Sequence, residues 1–338
     1  MTDAPVIKSR VHDLEPEDGL LFGCILDGKG GGRLCGWAEV DTTDIAFTPM
    51  WLHLDNVSAR AENWLREKSG IPASVVGALL AKESRPRSLR VDDGLLVILR
   101  GINLNEGAEP EDMVAIRMWV EPERIITVRH ERLLTPRDVL SDIIDGGHGT
   151  PTIPDLFVAL SERLSLKIND VIIGLEDRLD ALEAQVDTEQ PTKLRSQIAR
   201  SRQDTVALRR YLSPQREALA NLQYDAPDWL DPSQRMSLRE TADRTLRYLE
   251  DLDAARDRAI VVLDELANKM AESMNRTMYA LSIVAAIFLP LSFLTGLLGI
   301  NVGGMPGVDS GLAFWITCAI MTILMVAEIY VLKRLKWI

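Results

Sequence analysis

The stretch MYALSIVAAIFLPLSFLTGLL, residues 278–298, is 21 residues long without a charge, and Gly299-Ile300-Asn301 follows it directly. That length matches the hydrocarbon thickness of a bilayer. A second apolar stretch, residues 311–332, is interrupted only by Glu328. The connection, residues 299–310, is too short to be a domain, so the two segments form a transmembrane hairpin. Lys269 and Arg276 precede the first span; Lys333, Arg334 and Lys336 follow the second; the loop has neither Lys nor Arg. By the positive-inside rule both termini are cytoplasmic and the loop faces outward. Trp315 and Trp337 suit the two interfaces of the second span.

Two helices cannot enclose a pore. A conducting assembly needs several copies around an axis, each giving one helix to the lining. The first span is the better lining helix. Asn275, Met278, Ser282, Ala285, Leu289, Ser292 and Gly296 alternate steps of three and four, and so share one face. Polar and small residues interspersed with larger apolar ones suit a narrow pore with hydrophobic constrictions. The same small and hydroxyl residues also suit close helix packing. Pro290 leaves the Ala286 carbonyl without its usual partner, which makes a kink, a hinge or a tolerated membrane proline.

Upstream, no Gly or Pro interrupts the chain between Ser233 and Pro290. Leu238, Ala242, Leu246, Leu249, Leu252, Ala259, Leu263, Leu266, Met270 and Met274 form an apolar stripe. One helix over residues 233–298 would be on the order of 100 Å long at a 1.5 Å rise per residue. A compact soluble core has no use for that length; a stalk standing on a membrane does. Before it, Leu156, Leu160, Leu164, Ile168, Val171, Leu175, Leu179, Leu182 and Val186 make a second long stripe. A helical run over residues 193–212 is expected to end before Pro214. Glycines and prolines over residues 146–154 punctuate the chain as a boundary. Residues 1–145 are mixed α/β. A strand is expected over 50–54 and helices over 59–68 and 73–81. One hairpin turns at Asp92-Asp93-Gly94 and another at Glu121-Pro122-Glu123-Arg124.

Of the 50 acidic residues, 48 precede residue 278, with 35 of the 38 basic ones, so that part carries about −13. This argues against nucleic acid as a partner and is compatible with attracting cations. The three cysteines, Cys24, Cys35 and Cys318, make no C-x-x-C pair, and the four histidines, His12, His53, His130 and His148, are isolated from one another. No zinc-ligand spacing, phosphate-binding loop or catalytic constellation is present, so no enzyme and no cofactor is expected. The N-terminus has no apolar signal region, which predicts that no secretory peptide is cleaved.

Gly299-Ile300-Asn301, continued by Val302-Gly303-Gly304-Met305-Pro306-Gly307, closes the penultimate span of a two-span C-terminus after a long charged stalk. In that place it resembles the Gly-x-Asn (CorA) family of metal-ion transporters. Ile300 and the Gly-Gly-x-Pro-Gly continuation are similar to its zinc-transporting ZntB branch; the magnesium branch typically has Met at the middle position. Trp51-Leu52-His53-Leu54-Asp55 and Arg100-Gly101-Ile102-Asn103 are similar to the zinc branch too, so the resemblance covers essentially the whole chain. Met305 stands where Ile is more usual.

The resemblance implies an α+β, CorA-like fold: a cytoplasmic α/β/α domain over residues 1–150, a helical funnel and stalk over 151–277, spans over 278–298 and 311–332 joined by a periplasmic loop over 299–310, and a basic tail over 333–338. It implies a homopentamer in the inner membrane, with the first span lining the pore. Gly299, Ile300 and Asn301 would form the outer selectivity loop, with Gly299 allowing a tight turn that presents a ring of Asn301 amides. Asn301 is otherwise a common residue at a helix C-terminus. Amide oxygens accept hydrogen bonds from the water shell of a hydrated divalent ion without stripping it. Asn275, Met278, Leu281, Leu289 and Ser292 match the family's pore positions, and Ser282 shares their face.

The implied cargo is Zn²⁺, with Ni²⁺, Co²⁺ and Cd²⁺ poorly distinguished, because soft ligands are missing from the membrane part apart from Cys318. Proton coupling is a further implication. The alternatives are a magnesium or cobalt channel of the sister branch and, in a different class, a membrane-anchored helical sensor without a pore. The first span has no Asp, Glu, His, Lys or Arg between Met278 and Leu298. The lone membrane carboxylate, Glu328, lies close enough to Lys333 to reach the cytoplasmic interface, so it is expected to be dispensable.

Overall fold

The structure is a computed structural model, and it describes residues 11, 14–43, 48–299, 307, 310–335 and 337. It divides into two compact units, Met1–Leu263 and Asp264–Ile338.

The first unit is built on a seven-stranded sheet with strands β1 (Leu20–Leu26), β2 (Gly32–Cys35), β3 (Met50–Asp55), β4 (Arg87–Val91), β5 (Gly94–Gly101), β6 (Val114–Glu121) and β7 (Arg124–Arg129). The strand order is β2-β1-β3-β7-β6-β5-β4. Only β3 and β7 pair in parallel; every other neighbour is antiparallel. The two expected hairpins form as two-residue connections, closed by Val91 opposite Gly94 and Glu121 opposite Arg124. Asp92 takes a positive φ of 53° there, which Asp tolerates better than most residues.

Alternate side chains of the central strands go to opposite faces, as the pleat requires. Leu95, Val97 and Leu99 of β5, with Ile116, Met118 and Val120 of β6, enter one core. Leu96, Ile98 and Trp119 enter the other. Short helices α1 (Trp37–Val40), α2 (Ala59–Glu67) and α3 (Ala73–Leu80) cover the second face. The first face is covered by α4 (Thr135–Ile144) and by parts of three long helices, α5 (Ile153–Glu183), α6 (Pro191–Asn221) and α7 (Pro232–Leu298). The result is an α/β/α sandwich. A strand buried on both faces is apolar throughout rather than alternating, which is why β1, LLFGCIL, carries no period-two signal.

The boundary signal at residues 146–154 is a helix start. Thr152 caps α5 by accepting from the Asp155 N–H at 3.2 Å, and Pro154 sits in the first turn, where its missing donor costs nothing. Helix α7 opens with a reciprocal pair: Gln234 N–H donates to Asp231 Oδ1 at 2.8 Å, and Asp231 N–H to Gln234 Oε1 at 3.0 Å.

Helix α6 does not end before Pro214; it runs through it to Asn221. A proline inside a helix costs about 3 kcal/mol. Beyond it, Leu219 and Leu222 are buried in the sheet-face core, each contributing on the order of 2 kcal/mol. Gln215 Oε1 also accepts from the Arg100 N–H at 2.7 Å, and the Ser88 hydroxyl donates to the Ala218 carbonyl at 2.7 Å. Tertiary packing therefore outweighs the local penalty.

Along α5 to α7 the apolar stripes are buried against one another. Leu160, Leu164, Ile168, Leu175 and Leu179 are covered, and Ile172 takes the inward place expected of the half-buried Val171. On α7, Leu238, Ala242, Leu249, Leu252 and Ala259 are buried. Arg178 pairs with Asp204 at 3.2 Å, and Arg258 with Asp180 and Glu183, both at 2.6 Å, across these helices.

The second unit holds the C-terminal part of α7 and a further helix, α8 (Ala313–Arg334). Both are long and apolar enough to cross a membrane, and almost none of their apolar residues is fully buried.

Candidate permeation face and its loop

Within the apolar stretch of α7, residues 278–298, the half-buried residues are Ile283, Ala286, Ile287, Pro290, Leu291 and Leu294. Those of α8 are Ala313, Thr317, Met321, Leu324, Glu328 and Ile329, with Leu332 buried. Both sets recur at steps of three and four, the mark of two helices presenting one face each to a neighbour. The Tyr279 hydroxyl donates to the carbonyl of Trp337, joining the two helices as a hairpin.

The sequence-derived pore residues lie elsewhere on α7. Asn275, Met278, Leu281, Ser282, Leu289 and Ser292 are all exposed, Met278 at 51%, Leu281 at 64% and Leu289 at 68%. At about 100° per residue, this set and the half-buried set centre on directions roughly 150° apart. The face with the polar and small residues is thus the one that the chain's own second membrane helix leaves uncovered.

The Ser282 hydroxyl donates back to the Met278 carbonyl at 2.9 Å, so its oxygen lone pairs stay available on that face. The backbone of α7 remains helical through Pro290. Gly299 N–H bonds the carbonyls of Thr295 at 2.9 Å and Gly296 at 3.2 Å, closing the helix. Gly299 does not take a left-handed φ; a side chain there would instead approach the Thr295 carbonyl oxygen to 3.0 Å. Ile300 and Asn301, the rest of the expected selectivity loop, lie outside the described residues, as do Val302 to Pro306.

Two features of the hairpin were not legible beforehand. One is the Tyr279–Trp337 contact, which depends on helix register. The other is Glu328: it belongs to the half-buried face of α8, and its Oε2 is buried with no hydrogen-bond partner among the described residues.

Among the described residues no group of three or more His, Cys, Asp or Glu is placed to hold a metal. His53 is 2% exposed, inside the sheet, with Nδ1 2.8 Å from Thr127 Oγ1. It is a core residue and no ligand. Burial pushes the Cys24 thiol up to about 12 and the Cys35 thiol up to about 11, so neither is a free thiolate near neutrality. The second unit offers, in place of a chelating site, a helix face of amide, hydroxyl and apolar groups.

A family model described as CorA-like Mg²⁺ transporter protein matches residues 48–334. The chain belongs to this CorA-like family. It is a divalent-cation transporter of the CorA family and not an enzyme. It is 37% identical over 332 residues to the divalent cation transporter CmaX of Pseudomonas aeruginosa, covering 97% of this chain and 100% of that one. It is 37% identical over 313 residues to the zinc transport protein ZntB of Pectobacterium carotovorum, covering 93% and 94% of the two chains. The solved structure of full-length CmaX superposes with a TM-score of 0.83 at 37% identity, over 96% of this chain and 99% of that one. The CorA-like architecture expected from the Gly-x-Asn resemblance is the one the molecule has.

Proposed function

We propose that this CorA-family transporter moves hydrated Zn²⁺ through a homopentameric pore lined by the exposed face of α7. Asn275, Met278, Leu281, Ser282, Leu289 and Ser292 line the path, and a ring of Asn301 amides with Gly299 and Ile300 forms the outer mouth. The observation that carries this reading is the opposition of the two faces of α7. The polar and small residues point away from α8, and other copies of the chain, or the ion path, suit them better than lipid tails do. In this reading residues 1–150 and 151–277 are cytoplasmic, residues 299–310 form the periplasmic loop, and the tail at 333–338 returns to the cytoplasm, all at the inner membrane. The basic flanks of the two spans support that orientation.

Zinc is favoured over magnesium by Ile300 and Gly303-Gly304, and by the name carried by the ZntB relatives. A magnesium or cobalt channel is the second reading, favoured by the description of the family model. The experiment that separates them is uptake by proteoliposomes of Zn²⁺, Ni²⁺, Co²⁺, Cd²⁺ and Mg²⁺, each with and without a pH gradient. The proposal expects saturable Zn²⁺ flux with weak discrimination among the soft divalent ions. Flux of Mg²⁺ with none of Zn²⁺ would replace it by the second reading.

A further inference from the structure

Among the described residues buried on α6, Asp204 is the only charged one, and it is 6% exposed. Arg178 of α5 reaches it from the rim, with Nη1 3.2 Å from Oδ2. Glu111 lies in the connection between β5 and β6, residues 102–113, and is hydrogen-bonded to the Asp204 carboxyl. Two ionised carboxylates offer only acceptors. They make that bond only when one of them carries a proton. Burial and the Glu111 carboxyl push Asp204 up to about 6, and the charges of Arg178 and Arg200 offset this in part.

The connection is fixed at its ends. Ile102, Asn103 and Met113 are buried, and Asn105 Nδ2 donates to the Arg132 carbonyl at 2.9 Å. Between them, residues 106–112 carry Glu106, Glu109, Glu111 and Asp112 and no basic residue. Among the described residues, two polar contacts tie this acidic stretch to α6. One is the ion pair of Arg200 with Glu109 at 2.6 Å, with both side chains more than half exposed, where water and salt weaken it. The other is Glu111 with Asp204, whose Asp204 side is removed from water.

We propose that Glu111 and Asp204 form a proton-operated latch: a shared proton fastens residues 106–112 to α6, and its loss sets two carboxylates against each other and loosens them. The charged groups acting on Asp204 are Glu111 from the connection, Arg178 from α5 and Arg200 from α6 itself. A carboxyl whose value is raised in the fastened state holds more proton there than in the loosened state, so fastening strengthens as pH falls through about 6 and weakens above it. With about 3.9 for a free Asp, the ratio of fastened to loosened states rises about tenfold from pH 7.5 to pH 5. General acid loosening of the domain has the opposite sign, since burial holds His53 neutral. The latch lies in the first unit and is independent of the proposed ion path.

The test is hydrogen exchange of the full-length protein in detergent, read by mass spectrometry over residues 102–113 at a series of pH values from 5 to 7.5 and corrected for the intrinsic pH dependence of exchange. The reporters include the Ala108 N–H, bonded to the Asn105 carbonyl at 3.1 Å, and the Asp112 N–H, bonded to the Glu109 carbonyl at 3.0 Å. The expected result is about tenfold more protection at pH 5 than at pH 7.5, with its midpoint near 6. Asp204→Asn, whose amide can donate to Glu111 at any pH, is expected to show at pH 7.5 the protection that the wild type reaches at pH 5, and no dependence on pH. Glu111→Gln, at a half-buried position, is expected to lose the dependence too, and it reads the latch even if Asp204→Asn does not fold. Equal protection of the wild type at both pH values, or a pH dependence kept in either folded variant, would overturn the proposal.

Discussion

The Tyr279 hydroxyl donates to the Trp337 carbonyl, linking two residues 58 positions apart near the ends of the membrane hairpin. Losing a hydrogen bond of this kind costs about 1 kcal/mol. Tyr279→Phe should therefore lower the melting temperature of the purified protein modestly while leaving the fold and membrane insertion intact. An unchanged melting temperature would mean that the contact does not hold the hairpin.

The stripe on α7 changes character along its length. Leu252 and Ala259 are buried within the chain, whereas Met270 is 38% and Met274 62% exposed. An exposed apolar continuation of a covered stripe calls for further copies of the chain. Light scattering in mild detergent should give a closed homo-oligomer, with the mass of a pentamer, and Met270→Glu with Met274→Glu should weaken it. A monomeric mass for the wild type would contradict both the stalk and the pore.

His53 gives the sheet domain an acid-sensitive point. Thr127 Oγ1 donates to the Leu52 carbonyl at 3.1 Å and accepts from Trp51 Nε1 at 2.9 Å, so His53 Nδ1 must donate to it as a neutral ring. Burial, with the charge of Arg129, lowers His53 to about 3. The unfolded value is about 6.5, so below that pH the unfolded chain binds the proton that the native one refuses. Stability falls as pH drops from about 6.5 towards 3, by about 2 kcal/mol at pH 5. His53→Gln should be less stable than the wild type at pH 7.5, and the gap should narrow by pH 5. Parallel losses in both proteins would acquit His53.

Glu328 is the one membrane carboxylate, four residues before Leu332. Its buried Oε2 makes it more than a surface group, yet it sits on the α8 face and not on the proposed path. Glu328→Gln is expected to keep both zinc flux and its stimulation by a proton gradient. Retained flux with the stimulation lost would make Glu328 the coupling residue.

The membrane hairpin and stalk were legible because bilayer thickness and a 3.6-residue period leave strong marks on sequence. The two hairpins were legible from Asp92-Asp93-Gly94 and Glu121-Pro122-Glu123-Arg124, where turn chemistry is local. Strand β1 was not, since burial on both faces erases alternation, and Gly23 in its centre weakens the propensity signal. The continuation of α6 through Pro214 was hidden because it depends on Gln215 and Leu219 meeting a sheet distant in sequence. The stripe of polar and small residues on α7, proposed as the pore face, was listed from spacing, with Leu281 added by the family resemblance. Which side of the helix α8 would cover depends on the packing of the hairpin, and no period reports that.

Zinc uptake by proteoliposomes carrying equal amounts of wild-type protein and Asn301→Ala tests the transport account most directly. The account predicts saturable flux for the wild type and little flux for Asn301→Ala, with the variant folded, inserted and oligomeric. Flux equal to wild type in that variant would contradict the proposal that the Asn301 ring selects the ion at the mouth of the pore.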